Sequence, residues 1–118
     1  MRTALVRMHG RRAGHLTEEV PGGACTFAYV PGYDGPPVSL TMPVRAEPYR
    51  FGTFPPFFDG LLPEGWQLEA LLRRAKLDRT DRLGQLLRVG ADLVGAVTVE
   101  AMLVDAATGE ADKMQRVL

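Results

Sequence analysis

Residues 51–66 read Phe-Gly-Thr-Phe-Pro-Pro-Phe-Phe-Asp-Gly-Leu-Leu-Pro-Glu-Gly-Trp, and at this segment the sequence changes character. The segment contains four of the five phenylalanines and the only tryptophan. Before it, stretches with β propensity alternate with Gly and Pro clusters, a pattern typical of short strands. After it, leucines recur at the three- and four-residue spacing of a helix. We therefore expect strands on its N-terminal side and helices on its C-terminal side.

Alternating or β-rich stretches predict five strands in all. A turn at residues 10–12 is expected to join the first two. In the fourth strand, the alternating apolar residues should face the core, and these are Val38, Leu40 and Met42. The predicted strands span residues 3–8, 13–17, 24–30, 38–42 and 95–104.

Two helices are predicted, over residues 63–76 and 81–89. Pro63 suits the first turn of the earlier helix, where a backbone N–H is not needed. Early strands, a late strand and helices between them predict an α+β fold, with a small antiparallel sheet or open barrel packed against two or three helices. We assign residues 1–104 to this domain and residues 105–118, which are mostly polar, to a C-terminal tail.

The earlier helix carries its largest apolar side chain on an unexpected face. At 3.6 residues per turn, the core-facing stripe consists of Leu68, Leu71, Leu72 and Ala75. Trp66 lies on nearly the opposite side. It is either an exposed anchor for a partner, since tryptophan is enriched at binding hot spots, or it is covered by phenylalanines. The candidates for covering it are Phe51, Phe54, Phe57 and Phe58.

The composition favours a soluble cytoplasmic protein. The 118 residues include 14 basic and 14 acidic side chains, so no net charge attracts nucleic acid or an anionic membrane. No apolar run reaches the roughly 18 residues that span a bilayer. Arg7 interrupts the N-terminus before the apolar region of a signal peptide can develop.

Metal, cofactor and nucleophile sites have little support in the sequence. His9 and His15 flank the predicted first turn, but a metal would need a further ligand such as Glu18 or Glu19. We expect both histidines to be exposed hairpin residues. Cys25, the only cysteine, is expected to be a small buried apolar residue. No Gly-x-Gly-x-x-Gly or Walker-type Gly-Lys-Ser/Thr motif occurs, so no cofactor is predicted.

The two predicted helices also allow a DNA-binding interpretation. A helix, a short turn and a second helix over residues 64–90 would offer basic side chains to phosphates. These side chains are Arg73, Arg74, Lys76, Arg79, Arg82 and Arg88. The zero net charge weighs against this interpretation, as do Asp78 and Asp81 among the basic residues. A DNA-binding module is therefore the less favoured alternative, and we predict no direct contact with nucleic acid.

Three segments together resemble one known domain. Residues 57–65 read Phe-Phe-Asp-Gly-Leu-Leu-Pro-Glu-Gly, residues 38–43 read Val-Ser-Leu-Thr-Met-Pro, and residues 90–97 read Gly-Ala-Asp-Leu-Val-Gly-Ala-Val. The first resembles a signature of the N-terminal subdomain of HipA-type serine/threonine kinases of bacterial toxin–antitoxin systems. The second resembles its "S-L-S-M-P" strand and the third its closing "G-x-D-x-x-G-A-V" segment. Their order and spacing match over residues 3–104.

The resemblance implies the fold and partner of that subdomain, because the family's catalytic residues have no positions here to match. A free-standing version is similar to the small HipS-like component of HipBST systems. We therefore expect a non-catalytic antitoxin that binds and inhibits a separately encoded HipA-like kinase. A small helix-turn-helix HipB-like protein is a further candidate member of the complex. The alternative within the family is an activating or structural subunit that completes the kinase.

We predict that Trp66 anchors this partner. Phe58, Leu62 and Glu64 are expected to shape its surroundings, and Gly65 to permit close approach of a partner backbone. No catalytic, cofactor-binding or metal-binding residue is predicted. An exposed patch of Trp66 and Phe58 would also favour pairing of two copies when the chain is alone.

Overall fold

Five strands form one sheet, in which every strand is antiparallel to its neighbours. The computed structural model describes residues 1–93 and 95–102. The strands are β1 (Arg2–Met8), β2 (Arg11–Glu18), β3 (Cys25–Tyr29), β4 (Tyr49–Phe51) and β5 (Val97–Met102). Their order in the sheet is β4-β3-β2-β1-β5. The α+β prediction is confirmed, with an open sheet. The predicted end of the last strand at residues 103–104 and the tail at 105–118 lie outside the described residues.

The β1–β2 hairpin has a two-residue turn, His9-Gly10. Met8 pairs with Arg11 across it, and the two turn residues have positive φ angles of 51° and 80°. This is the geometry of a type I′ turn, whose twist matches that of the flanking strands. The turn therefore begins at His9, one residue before the predicted turn at residues 10–12, and Arg11 already belongs to β2.

Within the described residues three α-helices follow β4, namely α1 (Pro56–Asp59), α2 (Gly65–Ala75) and α3 (Arg82–Val89). The prediction that Pro63 begins the second of these is wrong. Glu64 is extended (φ −128°, ψ 167°) and Gly65 has a φ of 59°, so the helix starts after Pro63. At the start of α3, the Asp81 carboxylate accepts a hydrogen bond from the Gly84 N–H at 3.0 Å.

The predicted strand at residues 38–42 is also wrong. The segment forms a tight turn in which the Met42 N–H donates to the Ser39 carbonyl oxygen at 3.0 Å. Val38 and Met42 are buried, as expected, but Leu40 at the tip is 93% exposed. The Ser39 hydroxyl accepts the backbone N–H two residues later, and local bonds of this kind compete with pairing in a sheet.

Helices α1 and α3 pack against the sheet. Phe27 of β3 and Phe58 of α1 are fully buried, with ring centroids 5.6 Å apart. Gly14 in β2 makes room for this contact, because a β-carbon there would lie 2.7 Å from the Phe27 ring. Leu83 and Leu86 of α3 join the same buried cluster. This cluster holds α1 and α3 on the sheet.

Candidate partner-binding surface

Trp66 lies on the solvent side of α2. Its side chain is 78% exposed, whereas Leu71 on the inner side of the helix is buried. The predicted core-facing stripe is confirmed, because its other members are half-buried, namely Leu68, Leu72 and Ala75. The interpretation that phenylalanines cover Trp66 is therefore wrong. Its predicted role as an anchor for a partner stays a prediction.

The phenylalanines of the 51–66 segment pack inward instead. Phe58 has no exposed surface, because α1 turns its ring towards Phe27 in the sheet. The remaining three pack against the same buried cluster, and they are Phe51, Phe54 and Phe57. The expected exposed patch of Trp66 and Phe58 is therefore wrong. Phe58 shapes the surface only indirectly, by fixing α1 to the sheet.

The backbone changes direction sharply just before Trp66. Glu64 is extended, and Gly65 then adopts the left-handed region, which glycine enters at little steric cost. A β-carbon at Gly65 would meet no other atom within 4 Å, so a larger side chain would not clash there. Glycine is favoured at this position because of the positive φ angle. The result is that Trp66 stands on the first turn of α2. The predicted close approach of a partner at Gly65 stays a prediction.

A groove of about 270 Å³ lies beside this end of α2. Leu62 and Glu64, two of the predicted site residues, line it. The other lining residues are Asp59, Pro63, Leu68, Arg79, Arg82 and Gln85. The structure thus brings Leu62 and Glu64 together near the helix end that carries Trp66.

Two ion pairs hold the charged side of this groove. Arg82 pairs with Asp59, and Arg79 pairs with Glu69 at 2.6 Å. The Arg79 guanidinium lowers the pKa of the Glu69 carboxyl by hydrogen bonding to it. Because all four side chains are well exposed, these pairs contribute little to the stability of the fold.

Gln85 is a structural residue that sequence reasoning missed. Its side chain is 1% exposed, and its Nε2 donates to the carbonyl oxygens of Asp78 and Arg79 at 3.1 and 3.0 Å. These bonds fix the connection between α2 and α3, which forms part of the groove wall. Both acceptors lie outside α3, so the periodicity of that helix gives no sign of the contact.

The DNA-binding interpretation loses support from these contacts. Arg79 and Arg82 are two of the six basic residues considered for phosphate contacts, and carboxylates already neutralise both. A phosphate would have to compete with Glu69 and Asp59 for them. The surface therefore offers nucleic acid less positive charge than the sequence alone indicates.

Other chemistry at the sequence-predicted positions is limited. His9 is exposed in the hairpin turn, as expected, but the expectation that His15 is exposed is wrong, because it is half-buried in β2, opposite Leu5. Within residues 1–93 and 95–102, no three acidic, His or Cys side chains are placed to share a metal ion. Cys25 is buried, and burial raises the pKa of its thiol, which disfavours the reactive thiolate. Over the same residues, every helix is too short or too polar to cross a bilayer.

Comparisons with known proteins agree on one domain. A family model described as the HipA N-terminal domain matches residues 4–100. An uncharacterized protein of Haemophilus influenzae is 33% identical over 100 residues, which cover 85% of this chain and 92% of that protein. The putative kinase Y4mE of Sinorhizobium fredii is 32% identical over 91 residues, covering 75% of this chain but only 22% of that protein. A solved structure of the N-terminal domain of HipA toxin superposes with a TM-score of 0.69 at 29% identity, covering 89% of this chain and 96% of that structure.

Proposed function

The chain belongs to the HipA N-terminal domain family, and from this we propose that it is a non-catalytic antitoxin that binds and inhibits a separately encoded HipA-like serine/threonine kinase. The similarity to the putative kinase Y4mE covers only 22% of that protein. This chain therefore corresponds to one domain of that larger protein. The uncharacterized Haemophilus influenzae protein is a second chain of similar length, since the match covers 92% of it. The family membership supports a kinase as partner, with a non-covalent interface in place of a peptide link.

The exposed Trp66 is the observation that carries this proposal. A tryptophan that is 78% exposed on a helix contributes little to the packing of its own domain. Buried in a pocket of a partner, the same side chain would contribute on the order of 2–4 kcal/mol. Tryptophan loses little conformational entropy on binding, because it has only two rotatable side-chain bonds.

The surroundings of Trp66 suit it to this role. The groove beside α2 adds an apolar wall at Leu62 and an acidic rim at Glu64. Arg79 and Arg82, each paired with a carboxylate, add charged side chains to the same groove. An anchor with a shaped, partly polar border is the arrangement common at specific protein interfaces.

Inhibition needs no chemistry from this chain. Phosphoryl transfer depends on the correct positioning of the nucleotide, the metal ions and the substrate hydroxyl. A bound domain that holds kinase segments apart, or that prevents their closure, removes this positioning. The effect on the kinase would be a loss of turnover at unchanged kinase concentration.

Titration of the purified kinase tests the proposal. The proposed partner, a separately encoded HipA-like kinase, is mixed with the wild-type chain, with Trp66→Ala and with the control Val20→Ala, whose side chain is 60% exposed in the loop between β2 and β3. We expect the wild type and the control to bind and inhibit, and Trp66→Ala to bind roughly 30-fold or more weakly. Equal inhibition by Trp66→Ala would remove the anchor assignment, and an absence of wild-type binding would remove the proposal.

An activating or structural subunit is the second candidate. It is favoured by the presence of the matching domain inside the putative kinase Y4mE itself, where it is part of the enzyme chain. Both candidates require binding, so only the sign of the change in kinase turnover separates them. A rise in phosphoryl transfer on adding this chain would establish the second candidate and exclude the antitoxin.

A further inference from the structure

The connection between β3 and β4, residues 30–48, is a long loop held in one shape. It exceeds the roughly 12–15 residues beyond which connections without secondary structure are uncommon and usually functional. The chain has three tyrosines, and the hydroxyl of each donates to a carbonyl oxygen of this loop. Tyr33 bonds Pro36 at 2.6 Å and Tyr49 bonds Pro43 at 2.5 Å.

Tyr29 makes the third and most central of these bonds. Its hydroxyl donates to the Met42 carbonyl oxygen and accepts the Val38 N–H at 3.0 Å. One buried side chain therefore closes both ends of the tight turn. Val38 and Met42 are themselves buried, so the base of the turn is fixed in the core.

The tip of this turn carries an apolar side chain in water. Leu40 is 93% exposed, more than Trp66. The Ser39 Oγ lies 2.8 Å from the Thr41 Oγ1 and accepts the Thr41 N–H at 3.1 Å, which orders the tip itself. A fixed apolar projection loses little entropy when it enters a pocket, and this is the usual basis of a preorganised contact.

The charge and size of the tip restrict its occupant. Between Asp34 and Arg45 the loop contains no charged residue, so it has no attraction for phosphates of nucleic acid or for anionic lipid headgroups. A stable dimer needs about 800 Å² from each partner. The loop's exposed large apolar side chains are Leu40 and Val44, which is too little for a self-contained interface but enough for one anchor of a larger one.

We propose that the 30–48 loop is a second docking element, in which Leu40 enters an uncharged apolar pocket on the same kinase polypeptide that Trp66 contacts. The inference rests on the proposed function for the identity of the partner. In this proposal Leu40 and Trp66 enter separate pockets of the kinase, so with no shared partner side chain their contributions to affinity are expected to add.

Calorimetric titration of the proposed partner, a purified and separately encoded HipA-like kinase, tests the inference. Leu40→Ser is expected to weaken binding about tenfold, and Leu40→Ser/Trp66→Ala to multiply the two single effects. The matched control Val20→Ser, also an exposed apolar residue in a loop, should change affinity less than twofold. Ser39→Ala keeps Leu40 but loosens the tip, and should weaken binding about threefold. The thermal unfolding midpoints of Leu40→Ser, Val20→Ser and Ser39→Ala should match that of the wild type.

The outcomes separate this inference from the proposed function. If Trp66→Ala weakens binding and Leu40→Ser does not, the second docking element is wrong and the proposed function stands. If the wild-type chain does not bind the kinase, both are wrong. If Leu40→Ser changes only the sedimentation of the free chain, the occupant is a second copy and the inference is overturned.

Discussion

Arg2 and Asp81, which lie 79 positions apart in the sequence, form an ion pair with a guanidinium nitrogen 2.6 Å from a carboxylate oxygen. The same guanidinium lies 2.6 Å from Glu18, a carboxylate that is 3% exposed. Asp81 also accepts the Gly84 N–H at the start of α3. Arg2 therefore connects the first two strands of the sheet to the first turn of α3, the helix that lines the groove beside Trp66.

Replacement of Asp81 should loosen this connection. Asp81→Ala removes both the cap of α3 and one partner of Arg2, and we expect the free energy of unfolding to fall by about 1–2 kcal/mol. Urea titration measures it. Asp34→Ala is the matched control, because Asp34 pairs with Arg11 at 2.6 Å on the open surface and should leave stability unchanged. Similar losses in both variants would contradict a special role for Asp81.

The same pair predicts how stability depends on pH. The hydrogen bond from Arg2 lowers the pKa of Asp81 in the folded state. A carboxyl with a lowered folded pKa stabilises the fold above its unfolded pKa of about 4, and this contribution is lost as the pH falls through the folded value. The stability difference between wild type and Asp81→Ala should therefore be largest at pH 7 and shrink below about pH 4. A difference that grows on acidification would contradict this assignment.

Gly90 should tolerate no side chain. A β-carbon there would overlap the backbone carbonyl of Val99 in β5, which cannot move without shifting the strand. We expect Gly90→Ala to lower the free energy of unfolding by about 2–3 kcal/mol. Gly60→Ala is the control, since Gly60 has a helical φ of −65° and the nearest atom to its β-carbon would be at 3.4 Å. That variant should be neutral or up to about 1 kcal/mol more stable.

Local periodicity was enough to predict most of the elements and the position of Trp66 off the inner face of α2, but it left open whether phenylalanines cover Trp66. The spacing of Leu68, Leu71 and Leu72 defines the inner face of α2, and a residue off that face needs a contact from elsewhere in the chain to be covered. The α+β class followed from the same short-range patterns, whereas the domain family followed only from the resemblance of three segments to known sequences.

Two of the errors arose where distant contacts decide the structure. Val38, Leu40 and Met42 alternate as in a strand, but the Tyr29 hydroxyl bonds both ends of the segment and closes it into a turn. No property of residues 38–42 reveals that bond. Phe58 is likewise predicted to shape the surroundings of Trp66, whereas α1 directs its ring towards Phe27 in the sheet.

Phe58 should therefore affect binding only through stability. Phe58→Ala removes a fully buried ring, and we expect a loss of about 3–5 kcal/mol in the free energy of unfolding. Phe58→Leu, which keeps an apolar side chain, should fold and bind the kinase with wild-type affinity. Urea titration and calorimetric binding measure the two effects. If Phe58→Leu folds normally but binds the kinase more weakly than the wild type, Phe58 contributes directly to the partner-binding surface and this prediction is wrong.

Fluorescence isolates the candidate anchor, because Trp66 is the only tryptophan in the chain. Since its side chain is 78% exposed, the free chain should emit at the wavelength of a hydrated indole and be quenched readily by acrylamide. Saturation with the kinase should shift this emission to shorter wavelengths and protect it from the quencher, because binding transfers the indole from water to an apolar pocket. Trp66→Phe, titrated in parallel, accounts for tryptophans of the kinase. Emission at short wavelength from the free chain would contradict the exposed placement, and unchanged emission at saturation would exclude Trp66 from the interface.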